Sequence, residues 1–289
     1  MSAAALGKPL IRARLASRKA RFGKKPATIL RSLILAATVC VATVSPSAAQ
    51  TAPALHPISF DSKQPGPAIV IGFLGGHVRR DNVHHAEVQL AERLREAYPR
   101  DVAVETFENR RYEEAHQAIL RLLDSDGDGA LSSREKRNAR IILYGHSWGA
   151  WAVVALSRAL QQDGIPVLLT VQVDSIAHKG QDDSVIPPNV LKAVNFYQPH
   201  GILHGQAAIT AADPTRTQIL GNFRFDYSND EISCPGYAWW SVYLTKAHTE
   251  IECDPRVWSQ IEGVIRAELP APSHGGSLAA NSPSPALKP

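Results

Sequence analysis

The chain has 289 residues, 44% of them hydrophobic, enough for one large domain or two small ones with a substantial core. Its net charge of +4 hides an asymmetry: nine Lys or Arg and no acid lie in residues 1–49, and the rest of the chain carries 22 Lys or Arg against 27 Asp or Glu. The basic excess therefore gives no argument for a nucleic-acid partner, and no internal repeat points to a solenoid.

Residues 1–49 read as an export signal. A basic region ends at Arg31, an apolar run covers residues 33–44, and the small residues Ser47 and Ala49 suit cleavage after Ala49. The run is shorter than the roughly 20 residues of a membrane-spanning helix, so no stable span is expected after cleavage, and an uncleaved anchor is the alternative. Cys40 follows Val39, where a lipoprotein site wants a small residue, and is read as removed with the signal. Residues 50–65 form a Pro-containing linker. The mature chain is expected in the periplasm or outside the cell.

Residues 66–269 are the expected folded domain. Residues 67–74 (PAIVIGFL) are nearly all apolar, as in a strand buried on both faces of a parallel sheet, and run into Gly75-Gly76. Asp81 or Asn82 then caps a predicted helix to Tyr98, with Val83, Ala86, Leu90, Leu94 and Ala97 at helical spacing. His77, His84 and His85 near its start could form a metal site, but exposed histidines around a helix N-terminus are the commoner case and the reading adopted. Residues 102–107 alternate as a strand does, and residues 112–123 repeat as a second helix.

The next twelve residues, 124–135, resemble an EF-hand calcium loop. Asp124, Asp126 and Asp128 offer carboxylates from alternate positions, and Gly129 allows the bend. The Ala130 carbonyl is the next ligand, Ser132 takes the position that often acts through water, and Glu135 closes the shell. The loop is single and its exit helix can span only about 132–139, so it is expected as a structural Ca²⁺ insertion rather than a sensor lobe. Without a cation its carboxylates repel one another.

Residues 140–149 (RIILYGHSWG) organise the chain. An apolar strand runs into Gly145-His146-Ser147-Trp148-Gly149, and a small-residue helix covers 150–160. Strand, G-x-S-x-G, helix is a nucleophile elbow: glycines on either side permit a tight, strained turn that lifts the serine above the sheet. This resembles the α/β-hydrolase superfamily, lipase and esterase type. The resemblance implies an α/β fold, a mostly parallel sheet flanked by helices on both faces. It implies Ser147 as nucleophile and the Trp148 N–H as one oxyanion donor. It also implies a second donor from the loop after the early strand, at Leu74 or Phe73.

Residues 165–173 (IPVLLTVQV) read as another buried strand ending at Asp174, which is well placed to orient a histidine. Residues 190–198 form the next strand, with no acid at its end; Asp213, Asp226 and Asp230 are weaker candidates. Residues 207–224 read as irregular and polar. Residues 237–244, rich in aromatics, either line an acyl pocket or pack in the core, and core is favoured. His248 falls in a predicted loop before the last helix, 255–269, where the resemblance places the general base. The order Ser147, Asp174, His248 is the one it implies.

Cys234 and Cys253 remain after signal removal, and in an exported chain they predict a disulfide around His248. Residues 270–289, rich in Pro, Ser and Ala, read as a disordered tail. The sequence thus predicts an exported serine hydrolase cleaving a small-molecule or lipid ester, or a thioester, with a structural Ca²⁺ site. The alternative is an exported calcium-binding or interaction protein on an inactive hydrolase scaffold.

Overall fold

The apolar runs form strands, and all of them lie parallel. The computed structural model describes residues 66–229 and 231–271. The expected signal, the linker and all but the first residues of the tail lie outside the described residues. In chain order the elements are β1 (Ala68–Leu74), α1 (Ala86–Ala97), β2 (Val102–Glu108), α2 (Tyr112–Leu123), α3 (Ser133–Asn138), β3 (Arg140–His146), α4 (Trp148–Gln162) and β4 (Val167–Val173). Then follow β5 (Val185–Ile186), β6 (Val190–Tyr197), β7 (Thr210–Ala211), β8 (Gln218–Arg224), α5 (Trp239–Leu244), α6 (Lys246–Cys253) and α7 (Pro255–Glu268). Six strands make one sheet in the order β2-β1-β3-β4-β6-β8, and β5 pairs with β7 separately. Every pair is parallel.

Parallel neighbours need crossover connections, which place helices on the sheet faces and bury the strands from both sides. Successive β1 residues accordingly point into two separate cores. Ala68 and Val70 join α1 and α7 through Leu90, Leu94, Trp258 and Ile261. Ile69, Ile71 and Phe73 join α2 and α4 through Ile119, Val153 and Leu156. This is the expected α/β class of fold, a parallel sheet with helices on both faces. Among the described residues no helix is long and apolar enough to cross a membrane.

Among the departures from the sequence expectations, three concern the elements and their burial. First, α1 starts at Ala86, not after Asp81 or Asn82. Asp81 pairs with Arg79, and the Asn82 carbonyl accepts from His85 N–H in a turn. Second, residues 207–224 are not irregular throughout. Residues 218–224 form the edge strand β8, whose largely exposed and half-buried pattern, with only Phe223 buried, lacks the alternation that marks a strand. Third, the described aromatics of the stretch 237–244 are not core. Trp239 and Tyr243 are each 79% exposed, and Tyr237 lines a cavity.

Candidate active site

The strand order reverses between β1 and β3, since β2 lies to one side of that pair and β4 to the other. A crevice opens at such a switch point, beyond the carboxyl ends of the strands. Ser147 follows β3 there, and Gly75-Gly76 follow β1. A cavity of about 430 Å³ occupies this place, with Gly75, Gly76, Ser147, Trp148, Tyr237 and His248 in its wall.

Ser147 takes φ 59°, a left-handed conformation that is strained for a residue with a side chain. Its N–H donates to the Val173 carbonyl at 2.9 Å, tying the elbow to the end of β4. The flanking glycines are dictated by close approach. A Cβ on Gly149 would overlap the Phe73 carbonyl, and one on Gly145 would stand 2.6 Å from the Gly149 carbonyl group. Only glycine lets α4 start this close to the end of β1.

The structure brings Ser147, Asp174 and His248 together. Ser147 Oγ donates to His248 Nε2 at 2.9 Å, and His248 Nδ1 donates to Asp174 Oδ2 at 2.6 Å. Asp174 is fully buried at the end of β4 with φ 42°. The Gln198 side chain also donates to its Oδ2 at 2.8 Å, and the Gly205 N–H donates to its Oδ1 at 2.7 Å. The carboxylate is thereby oriented and kept acceptor-only, as an ionised group requires. His248 stands on the short helix α6, not in a loop. The disulfide Cys234–Cys253 ties the last residue of α6 to the segment ahead of α5, with Cα atoms 5.5 Å apart. Of the weaker candidates, Asp213 and Asp226 sit in exposed turns, where they accept from Thr215 and Ser228.

Trp148 opens α4, so its N–H is among the first four that find no intrahelical acceptor, and the residue borders the cavity. Phe73 and Leu74 are not brought there. Both are fully buried within β1, in register with Phe107 and Glu108. The residues of that connection that reach the cavity are Gly75 and Gly76, and a Cβ on Gly75 would stand 3.0 Å from Ser147 Cβ. The β1 strand simply runs one residue further than a loop donor at position 74 would need.

A second buried network, which sequence reasoning missed, lies behind the base. His146 Nε2–H donates to the His248 carbonyl at 3.2 Å, and its Nδ1 lies 3.1 Å from Glu252 Oε2. His85, expected as exposed, is buried and places Nδ1 2.5 Å from Glu252 Oε1. Glu87 is fully buried beside them. Burial and the Glu252 charge push the Glu87 carboxyl well above the usual range. Burial also acts to raise Glu252, but His146 and His85 hold it well below. Burial would lower His146; Glu252 raises it overall. Burial, then the His146 charge, lowers His248 against the pull of Asp174. The signal for this network in the sequence was only His85-Ala86-Glu87, since Glu252 stands 167 residues beyond His85.

In the loop over residues 124–135, oxygens of Asp124, Asp126 and Asp128 converge to within 4.8 Å of one another. Gly127 N–H and Gly129 N–H donate to the two Asp124 oxygens, at 2.9 and 3.0 Å. Gly127 and Gly129 both have positive φ, which this bend requires. Three carboxylates fit a hard cation. Glu135 stands apart: it accepts from Ser125 N–H at 2.7 Å and Ser132 N–H at 2.9 Å, and with Ser132 it forms the capping box of α3.

No protein-family model and no curated protein matches the chain. Among solved structures it is similar to an arylesterase, with 14% identity over 71% of this chain and 77% of that one, at a TM-score of 0.41. It is also similar to the RedJ thioesterase of the prodiginine biosynthetic pathway in Streptomyces coelicolor, with 12% identity over 77% and 98% of the two chains, TM-score 0.37. A third is FphF, a fluorophosphonate-binding serine hydrolase of Staphylococcus aureus, with 11% identity over 68% and 88%, TM-score 0.30. Likenesses this distant carry no functional argument, and the chemistry rests on the site.

Proposed function

We propose that the chain is a serine hydrolase that transfers an acyl group from a carboxylic ester, or a thioester, to water. The observation that carries this reading is the continuous relay from Ser147 Oγ, in the wall of the switch-point cavity, through His248 to buried Asp174. In the first step Ser147 Oγ attacks the acyl carbon while His248 Nε2 takes its proton. The Trp148 N–H and the backbone of the Gly75-Gly76 turn are the groups placed to hold the oxyanion. The carbon–oxygen or carbon–sulfur bond then breaks, and His248 returns the proton to the leaving group. Water repeats the sequence: His248 takes its proton, the acid leaves, and Ser147 regains its hydrogen. Asp174 stays ionised throughout and holds the Nδ1–H tautomer. The cavity volume is in the range of small-molecule sites, so a small-molecule or lipid ester is the proposed substrate class.

A fluorophosphonate probe tests this directly. Wild-type chain is expected to be labelled at Ser147 and to hydrolyse p-nitrophenyl esters, and Ser147→Ala to do neither. A folded wild-type chain that takes no label and cleaves no ester in the series sinks the proposal.

We also propose that the loop from Asp124 to Glu135 takes a structural Ca²⁺, held by Asp124, Asp126, Asp128 and the Ala130 carbonyl, with Ser132 contributing through water. Glu135 joins only by giving up its bonds to Ser125 and Ser132. The ion's contribution is charge compensation and loop order, not a step of the reaction. A higher melting temperature with Ca²⁺ than with chelator, lost in Asp126→Asn, is expected; equal temperatures count against it. Export is proposed on residues 1–49 alone, and a mature chain whose mass begins at Gln50 is the expected result.

A further inference from the structure

The first turn of α1 does something unusual for a helix start. Its N-cap, His85, makes no capping bond with its side chain, and instead turns the ring inward. Glu87, two residues on, is 0% exposed, and neither of its carboxylate oxygens receives a hydrogen bond. An acidic residue in a first turn normally faces solvent, where the helix dipole favours it without desolvation. This one is held inside by its neighbours. Gly72 has no side chain, which leaves room for the Tyr144 ring, and Tyr144 Oη donates to the Glu87 carbonyl at 2.8 Å.

From the far end of the chain, α6 brings a second buried carboxylate, Glu252, to the same place. His85 Nδ1, a Glu87 oxygen and a Glu252 oxygen all lie within 4.8 Å of one another. Two buried carboxylates meet an imidazole nitrogen here, and neither oxygen of Glu87 receives a hydrogen bond, so a buried polar group points into the cluster without a partner. We propose that His85, Glu87 and Glu252 bind a divalent transition metal of the Zn²⁺ class next to the Ser147 cavity.

The donor set selects the ion. One imidazole nitrogen and two carboxylates are the mixed ligands that Zn²⁺ accepts, with three protein ligands and a free fourth position. Ca²⁺ wants six to eight oxygens and does not fit three donors of which one is nitrogen. Two of the three ligands, His85 and Glu252, also line the Ser147 cavity, together with Tyr237. Tyr237 Oη sits 2.9 Å from His85 Nδ1 and must release that nitrogen when the ion enters. The site is also mechanically connected to the base. Glu252 Oε2 lies 3.1 Å from His146 Nδ1, and His146 Nε2–H donates to the His248 carbonyl. A metal ligand with an outer partner of this kind is the usual way a site is oriented. The ion would thus act through His146 as a positioning group. The proposal stands whether or not Ser147 is a nucleophile.

The test is metal uptake by the full chain, with Ca²⁺ present to occupy the loop at Asp124–Asp128. One Zn²⁺ per chain is expected by elemental analysis after dialysis. X-ray absorption at the zinc edge should show nitrogen and oxygen at about 2.0–2.1 Å with imidazole scattering. Affinity should drop at least about tenfold in Glu87→Gln and in His85→Gln, and stay unchanged in Asp126→Asn. No stoichiometric zinc in folded wild-type chain overturns the proposal. So does an all-oxygen shell, or zinc affinity in the Glu87 and His85 variants equal to that of wild type. The absorption measurement uses wild-type chain only, so it decides the matter even where a variant fails to fold. Ester hydrolysis enters none of these readouts, so failure here and failure of the hydrolase reading are distinguishable.

Discussion

His146 lies against His248, their ring centroids 4.5 Å apart, and donates from Nε2 to the His248 backbone carbonyl. The residue before Ser147 thus supports His248 and adds its charge to the burial that lowers the His248 pKa. Glu252 favours the protonated form of His146, and that charge disfavours a second one on His248.

This relationship has a consequence for pH. General-base chemistry needs neutral His248, and burial together with the His146 charge lowers its pKa below the ordinary 6.5. The acid limb of kcat/KM should therefore have its midpoint below pH 6.5 in wild-type chain. In His146→Gln the neighbouring charge is gone, the base protonates more readily, and the midpoint should move to higher pH. A profile that does not move removes His146 from this role.

Asp174 holds His248 Nδ1 at 2.6 Å, and under the proposed mechanism its replacement should be severe. In Asp174→Asn the shape is kept but the acceptor for His248 Nδ1–H is lost, so kcat should fall about 10³–10⁴-fold on ester substrates, the size of loss such a tautomer error causes. Asp226→Asn alters an exposed turn and should leave the rate unchanged. Equal rates for Asp174→Asn and wild type would falsify the assignment.

Gly149→Ala tests the close approach of α4 to β1. Its Cβ must displace the Phe73 carbonyl, a backbone atom that cannot rotate away. A loss of about 1–3 kcal/mol in chemical denaturation is expected, along with reduced activity from a displaced elbow. Gly127→Ala, at an exposed positive-φ turn with nothing within 4 Å, should strain only its own turn and leave the elbow's activity intact. Comparable losses of activity in both would count against steric overlap as the cause.

The Cys234–Cys253 bridge closes a 19-residue separation that includes His248. A loop of that length constrains the unfolded chain by about 3 kcal/mol. The double replacement Cys234→Ser with Cys253→Ser should lower stability by that order and lower kcat as α6 loosens. Unchanged stability under reducing and oxidising conditions would show the bridge to be idle.

Much of this architecture was legible because its signals are local. The apolar runs that became β1, β3 and β4 are buried on both faces, so their composition alone marks them. The elbow reads clearly because strain, glycines and the following helix are all encoded within ten residues. α2 matches its expected span, residues 112–123, because its apolar side repeats at helical spacing. Elements whose character depends on distant neighbours were not legible. β8 lies at the sheet edge with a largely exposed and half-buried pattern, and the aromatic segment at 237–244 had no signal to separate core from surface.

The sequence by itself determined the fold class, the elbow at Ser147, and the order in which Asp174 and His248 follow it, because each rests on short-range pattern and chain order. Only the tertiary structure decided that Gly75 and Gly76, rather than Phe73 and Leu74, reach the cavity. It alone joined His85 and Glu87 of α1 to Glu252 of α6 and His146 of the elbow. The physical reason is burial. The cost of taking two carboxylates and two histidines out of water depends on which groups meet inside, and no spacing along the chain records a meeting between residues more than 160 positions apart.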